Sequence, residues 1–200
     1  MRLPLSLLTL ALCLAAGPAF AADAGSASVA WILTASALVL FMTLPGLALF
    51  YGGLVHHKNL LSVVMQCFAI CCIVSLLWAV CGYSLVFDGD APWLGGLNKM
   101  FLANTGGVRE PSGLPEPVFI LYQMTFAIIT PALIIGAFVE RANFAFVVIF
   151  SALWLLICYV PAAHWIWGNG WLAAMGAMDF AGGIVVHTTA GISALVLAVM

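Results

Sequence analysis

Between residue 29 and residue 200 the sequence is a succession of apolar runs, several longer than the ~18 residues that a helix needs to cross a bilayer. Such a run cannot be buried in an ordinary soluble core. In lipid its backbone must satisfy its own hydrogen bonds, which leaves helices or closed barrels. Unbroken rather than alternating hydrophobicity selects helices. Composition agrees: 66% of residues are hydrophobic and 6% charged, with mean hydropathy +1.22. A net charge of −2, with no basic patch, excludes a nucleic-acid surface. The expected fold is an all-α, polytopic membrane helix bundle.

The runs place five spans, at about 29–51, 60–87, 118–139, 144–161 and 180–200. Pro45-Gly46 interrupts the first and Pro131 the third, which neighbouring helices can accommodate. Ahead of them, residues 1–22 read as a signal peptide: Arg2, an apolar core from Leu3 to Ala16, a Gly17-Pro18 break, and small residues at Ala19 and Ala21. The mature N-terminus is then periplasmic. The short link His56-His57-Lys58-Asn59 lies inside, and its two histidines are given no catalytic role. Residues 88–117, with four prolines and most of the acids, form the largest outer loop. Lys58 and Arg141 fall inside, Lys99 and Arg109 outside, so charge supports this orientation only through its density in short loops. Glu140 and Arg141 follow the third span and can pair with each other or reach a neighbouring helix end. The fifth span is still apolar at Met200, which suggests that the natural chain continues. Six cysteines show no metal-type spacing, and those beyond Cys13 lie in apolar runs, where they read as small core residues.

Chemistry concentrates in residues 162–191. Three tryptophans, Trp165, Trp167 and Trp171, precede Asp179, and His187 lies two turns into the apolar run that follows. An ionisable side chain at membrane depth is a functional candidate. Gly183, His187 and Gly191, at i, i+4 and i+8, put the imidazole on a stripe of small residues that either lines a narrow lumen or packs a neighbouring helix. Asp179 is placed to cap the fifth helix, and it can also draw cations to an outer vestibule. The tryptophans read as an interfacial belt, or one of them as part of a cation cage. Tyr122 and Phe126, at i and i+4 in the third span, are available as the opposite wall. A metal site is not indicated, and neither is a cofactor.

Three segments, LPGLALFYGGLVHHKNLLSVVMQ (44–66), FAIITPALIIGAFVERANF (126–144) and YVPAAHWIWGNGWL with GAMDFAGGIVVH (159–187), resemble the ammonium transporters of the Amt/MEP/Rh superfamily, on the bacterial Amt side. The resemblance covers most of the chain after the leader. It implies an eleven-span fold in which helices one to five and six to ten form an inverted repeat, so residues 23–200 are its N-terminal half. It implies a trimer with a pore through each subunit, in the bacterial inner membrane. Phe126 and Trp167 match the family's outer ammonium-binding aromatics, with Phe126 also half of a phenylalanine gate and Tyr122 an aromatic near the vestibule. Asp179 matches the acid that holds the vestibule and the helix start, and His187 the first of two pore histidines. Gln123, beside the gate, receives no role. The second histidine, the second gate phenylalanine and the vestibule serine belong to the family's second half, as does the tail that helps bind a PII-type regulatory protein.

The expected activity is ammonium transport without enzymatic chemistry: ammonium binds at the outer aromatics, loses its proton, and passes His187 as ammonia. An ammonium sensor and an Rh-like gas channel are the alternatives from the same family. A membrane haem protein using His187 is the alternative from another class, with His164, expected near the outer surface, offering no second ligand in the core.

Overall fold

A computed structural model describes residues 24–110 and 112–200. The expected signal peptide lies outside the described residues. The described chain is helical almost throughout, with one two-residue antiparallel pair, β1 (Val108–Arg109) and β2 (Leu114–Pro115), closing a turn in the outer loop.

Four helical stretches are long and apolar enough to cross a membrane: Gly25–Leu54, His57–Phe87, Glu116–Ala137 and Phe144–Ala174. A fifth apolar helix, Gly183–Val199, is shorter. The first stretch is α1 (Ala24–Phe41) and α2 (Ala48–Leu54), joined by a π-helical turn at Met42–Leu47 that contains Pro45. Proline lacks the amide hydrogen and collides with the carbonyl four residues back, and widening the turn by one residue relieves both problems. The second stretch, α3 (Leu60–Leu77) and α4 (Tyr83–Phe87), is joined in the same way at Trp78–Gly82. The third is α5 (Glu116–Ile134), ending in a 3₁₀ turn.

The fourth stretch departs from the sequence expectation. The sequence bounds it at about 144–161. Instead α6 (Phe144–Trp154) passes through a π turn at Leu155–Tyr159 into α7 (Val160–Trp167), with Pro161 in the first turn of the new segment. As at Pro45, the wider turn just ahead of Pro161 relieves the missing amide hydrogen bond and the clash with the carbonyl four residues back. Trp165 and Trp167 therefore stand on a helix rather than in a loop. The break comes at Gly168-Asn169-Gly170, where Asn169 takes the left-handed conformation (φ 63°) that asparagine tolerates. A short α8 (Trp171–Ala174) follows. The fifth helix starts later than residue 180: Asp179 and Gly182 hold the entry, and a π turn at Gly183–Thr188 leads into α9 (Thr189–Val199).

The most deeply buried stretch is α5, which packs against α1, α3 and α9. Its inner face carries Ala127, Ile128, Ala132 and Ile134, each fully buried, together with Thr125 and Thr130. The opposite faces of the outer helices expose large apolar side chains, among them Trp31, Phe41, Leu54, Leu61 and Ile157. In lipid that exposure costs nothing, whereas in water it would be an aggregation surface. Of the cysteines, Cys67 is buried, Cys71 and Cys81 are half-buried, and Cys72 and Cys158 lie on outer faces rather than in the core.

Polar ties hold the two ends. At the inner end Glu140 accepts from the Asn59 side chain (2.8 Å), the His56 amide (2.9 Å) and His56 Nδ1 (3.1 Å). These donors, Asn59 foremost, hold its carboxyl down at about 2. Its partner is thus a neighbouring helix end and not Arg141, which donates to the carbonyls of Ala137 and Leu197. At the outer end Glu116 accepts from Tyr83 Oη (2.6 Å) and pairs with Lys99, fastening the outer loop to the start of α5.

Candidate substrate path

The helix α5 brings Tyr122 and Phe126 to one face, with ring centroids 4.9 Å apart and edge-to-face. The helix α7 brings Trp167 to Phe126, at 6.0 Å and 63°. All three rings are half-buried. Trp167 reaches this position because α7 continues past Pro161. Its Nε1 donates to the Asp179 backbone carbonyl (2.8 Å), which fixes the indole plane. Gly182 passes beneath: its φ is 77°, and a Cβ there would lie 2.8 Å from Val186 Cγ2 and 3.8 Å from the Trp167 ring. The other two tryptophans turn elsewhere, clustering with Trp93 (6.4 Å from Trp165, 5.7 Å from Trp171).

Asp179 sits ahead of the fifth helix with its carboxylate on three free amides: Gly183 N to Oδ1 (2.7 Å), and Ile184 N and Val185 N to Oδ2 (2.9 Å each). Partial burial pushes its carboxyl up, but the hydrogen bonds from Val185, Ile184 and Gly183 outweigh this and hold it below the ordinary aspartate range.

His187 lies on the turn that follows Asp179. The turn that carries it packs against α5 and α7, with Val185 and Val186 buried there, but the imidazole itself is exposed. Gly183 and Gly191 share that exposed face. The side chain of His187 has no hydrogen-bond partner among the described residues. The dry lumen expected around it is therefore not formed by the described residues alone. His164, expected near the outer surface, is fully buried beneath the outer loop, with Nδ1 2.7 Å from Val86 O and Nε2 2.6 Å from Ala91 O. Both ring nitrogens are thus occupied, which leaves none for iron.

Sequence reasoning passed over Arg109, whose guanidinium lies 4.3 Å from the Phe119 centroid and 4.7 Å from that of Phe87. It lines an outer cavity of about 380 Å³ together with Glu110, Phe119, Gln123, Trp167 and Asn169. A lone arginine in a proline-rich loop carries no sequence signal for such a position.

A bundle of long apolar helices with an aromatic pair at one end and an ionisable side chain on the fifth helix defines a polytopic membrane protein with a candidate small-cation path. Comparison supplies the family. Residues 30–200 match the Ammonium Transporter Family. A putative ammonium transporter of Methanothermobacter thermautotrophicus is 47% identical over 178 residues, covering 88% of this chain and 44% of the relative. An ammonium transporter of Bacillus subtilis is 45% identical over 82% of this chain and 41% of its own length. The crystal structure of Candida albicans Mep2 superposes with a TM-score of 0.76 at 39% identity, over 84% of this chain and 37% of that one. The chain belongs to the ammonium transporter family, and it spans less than half the length of these relatives.

Proposed function

We propose that residues 23–200 form the N-terminal half of an ammonium transporter, following a signal peptide at 1–22. In this reading the mature N-terminus is periplasmic, the bacterial inner membrane is the site, and the whole protein is a homotrimer. Segments outside this chain supply the second half of each pore and the contact with a PII-type regulator. Family membership supports the substrate class. The observation that carries the mechanism is the Phe126–Trp167 pair at 6.0 Å, with the His187 turn packed against both helices that present it.

Ammonium is held between Phe126 and Trp167 with Tyr122 alongside, each face contributing roughly 0.5–2 kcal/mol. Moving the intact ion into an apolar pore would cost tens of kcal/mol by Born estimates, on the order of ten times more than the rings supply. The substrate therefore gives up its proton below the outer site and passes His187 as ammonia, while the proton either returns to the outer water, for neutral transport, or crosses separately along the histidine pair, for charge movement. An imidazole fits that step because it can donate or accept one hydrogen bond while remaining neutral. The exposure of His187 in these residues is what a pore wall shared with a second half requires.

Replacing His187 with alanine in the protein as the cell makes it should change selectivity between ammonium and potassium, or abolish charge movement driven by ammonium. Currents and selectivity equal to the wild type would remove His187 from the path. A sensor is the second reading, supported by the superposition on a structure titled Sensor Amt Protein (TM-score 0.76, 29% identity). Specific ammonium binding without transport would favour it.

A further inference from the structure

The buried ring of His164 faces two groups that can only accept. Its Nδ1 lies 2.7 Å from Val86 O and its Nε2 2.6 Å from Ala91 O. A neutral imidazole carries one N–H and sets a bare nitrogen against the second carbonyl, whereas an imidazolium donates to both. The imidazolium fits its place. His164 stands in the last turn of α7, where the carbonyls of the helix end attract a cation. The segment that wraps the ring carries two acids, Asp88 and Asp90. Their carboxylates have partners of their own, the Asn98 amide (2.7 Å) and the Asn169 side chain (3.2 Å). On the elements packed against α7, Tyr83 is bonded to Glu116, Tyr159 is buried against Trp78, Cys158 lies on an outer face, His187 is exposed, and α8 carries no ionisable side chain. The same contacts reach toward the outer site. His164 stands one helical turn before Trp167, and Gly168, which ends α7, packs on the ring: a Cβ there would lie 2.6 Å from Nδ1. Further ties join the loop to this helix end, from Trp165 Nε1 to Trp93 O (2.9 Å) and from Trp171 N to Pro92 O (3.0 Å).

We propose that His164 is a positioning residue of the outer site: as an imidazolium it clamps the Val86 and Ala91 carbonyls to the last turn of α7, and this holds Trp167 against Phe126. The neutral ring keeps one of the two hydrogen bonds and releases the other carbonyl, so the clamp loosens as the medium becomes alkaline. The inference rests on the outer aromatic site proposed above, and His164 acts on ammonium only through Trp167.

The test is the half-saturating ammonium concentration and the maximal rate of uptake, from about pH 5 to about pH 8, in membranes carrying the whole protein. Wild type is compared with His164→Gln, whose carboxamide donates at every pH, and with Trp167→Leu, at matched membrane abundance. In the wild type the half-saturating concentration should rise across this range by roughly tenfold, the worth of one hydrogen bond to a charged group, with the maximal rate little changed. In His164→Gln that rise should be gone. A second readout is independent of transport: the ring-nitrogen NMR signal of His164 in isotope-labelled whole protein, identified by its loss in His164→Gln. It should show both ring nitrogens carrying protons at the pH of tightest binding. A ring with one bare nitrogen there overturns the clamp, and so does a flat wild-type profile. A His164→Gln protein that keeps the wild-type pH profile, while Trp167→Leu shifts the half-saturating concentration, overturns the role of His164 and leaves the aromatic site standing. If Trp167→Leu changes nothing, the aromatic site itself is wrong and the positioning role falls with it.

Discussion

Asp179 serves the site through two groups, its carboxylate and its backbone carbonyl. Its oxygens take the first free amides of the fifth helix, and its backbone carbonyl takes the Trp167 indole. Removing the side chain should therefore loosen the helix entry and the cage together. Asp179→Ala should cost about 1 kcal/mol or somewhat more, as N-cap deletions do, and Asp179→Asn, which keeps one acceptor, should cost less. Thermal unfolding in detergent reads both. The sign with pH follows from the lowered carboxyl. The contribution is complete above the unfolded value near ~3.9 and is lost as pH falls through the lower folded value. The gap between wild type and Asp179→Ala should therefore close in acid. A gap that stays constant down to pH 2 would show that the carboxylate is not what the amides hold. The residue types in this stretch were legible: an acid before an apolar run, and a histidine inside one. The spatial pairing was less so. Nothing in the sequence places the Trp167 Nε1 on a carbonyl twelve residues on, because that follows from where α7 ends against the entry to the fifth helix.

The elements were read well in their interiors and poorly at their ends. A long apolar run fixes the middle of a span by hydrophobicity alone, so all four long helices fall where the sequence puts them. The ends depend on local backbone choices that hydropathy does not see. The fourth span was bounded at about residue 161, but the π turn before Pro161 lets the helix run to Trp167, and the stop is Gly168. That glycine is fixed by crowding. A Cβ there would lie 2.1 Å from Val86 O and 2.6 Å from His164 Nδ1. Gly168→Ala must push the end of α4 away from α7 and should cost roughly 1–3 kcal/mol, whereas Gly53→Ala, with nothing within 4 Å, should be neutral or slightly stabilising. Equal unfolding temperatures for the two variants would contradict this account of the α7 end. The Glu140 tie to His56 and Asn59 was equally hidden, because its partners lie more than eighty residues away in sequence.

At the scale of the molecule, hydropathy named the class and motif resemblance named the family, while the wall expected around His187 is not formed by the described residues alone. Periodicity placed it on a stripe with Gly183 and Gly191, and the stripe exists, but the described residues leave it uncovered. A sequence shows which residues share a face and not whether a second body closes over it. The account gives that face to the other half of a pore, and the outer site to Phe126 and Trp167 with Tyr122 alongside. The central claim is that ammonium crosses the membrane by this route. The most direct measurement is ammonium uptake into liposomes containing the purified protein as the cell makes it. The account predicts saturable uptake above empty liposomes, with a concentration dependence that shifts when Trp167 is replaced by leucine. Uptake no greater than that of empty liposomes, with the protein folded and inserted, would contradict it.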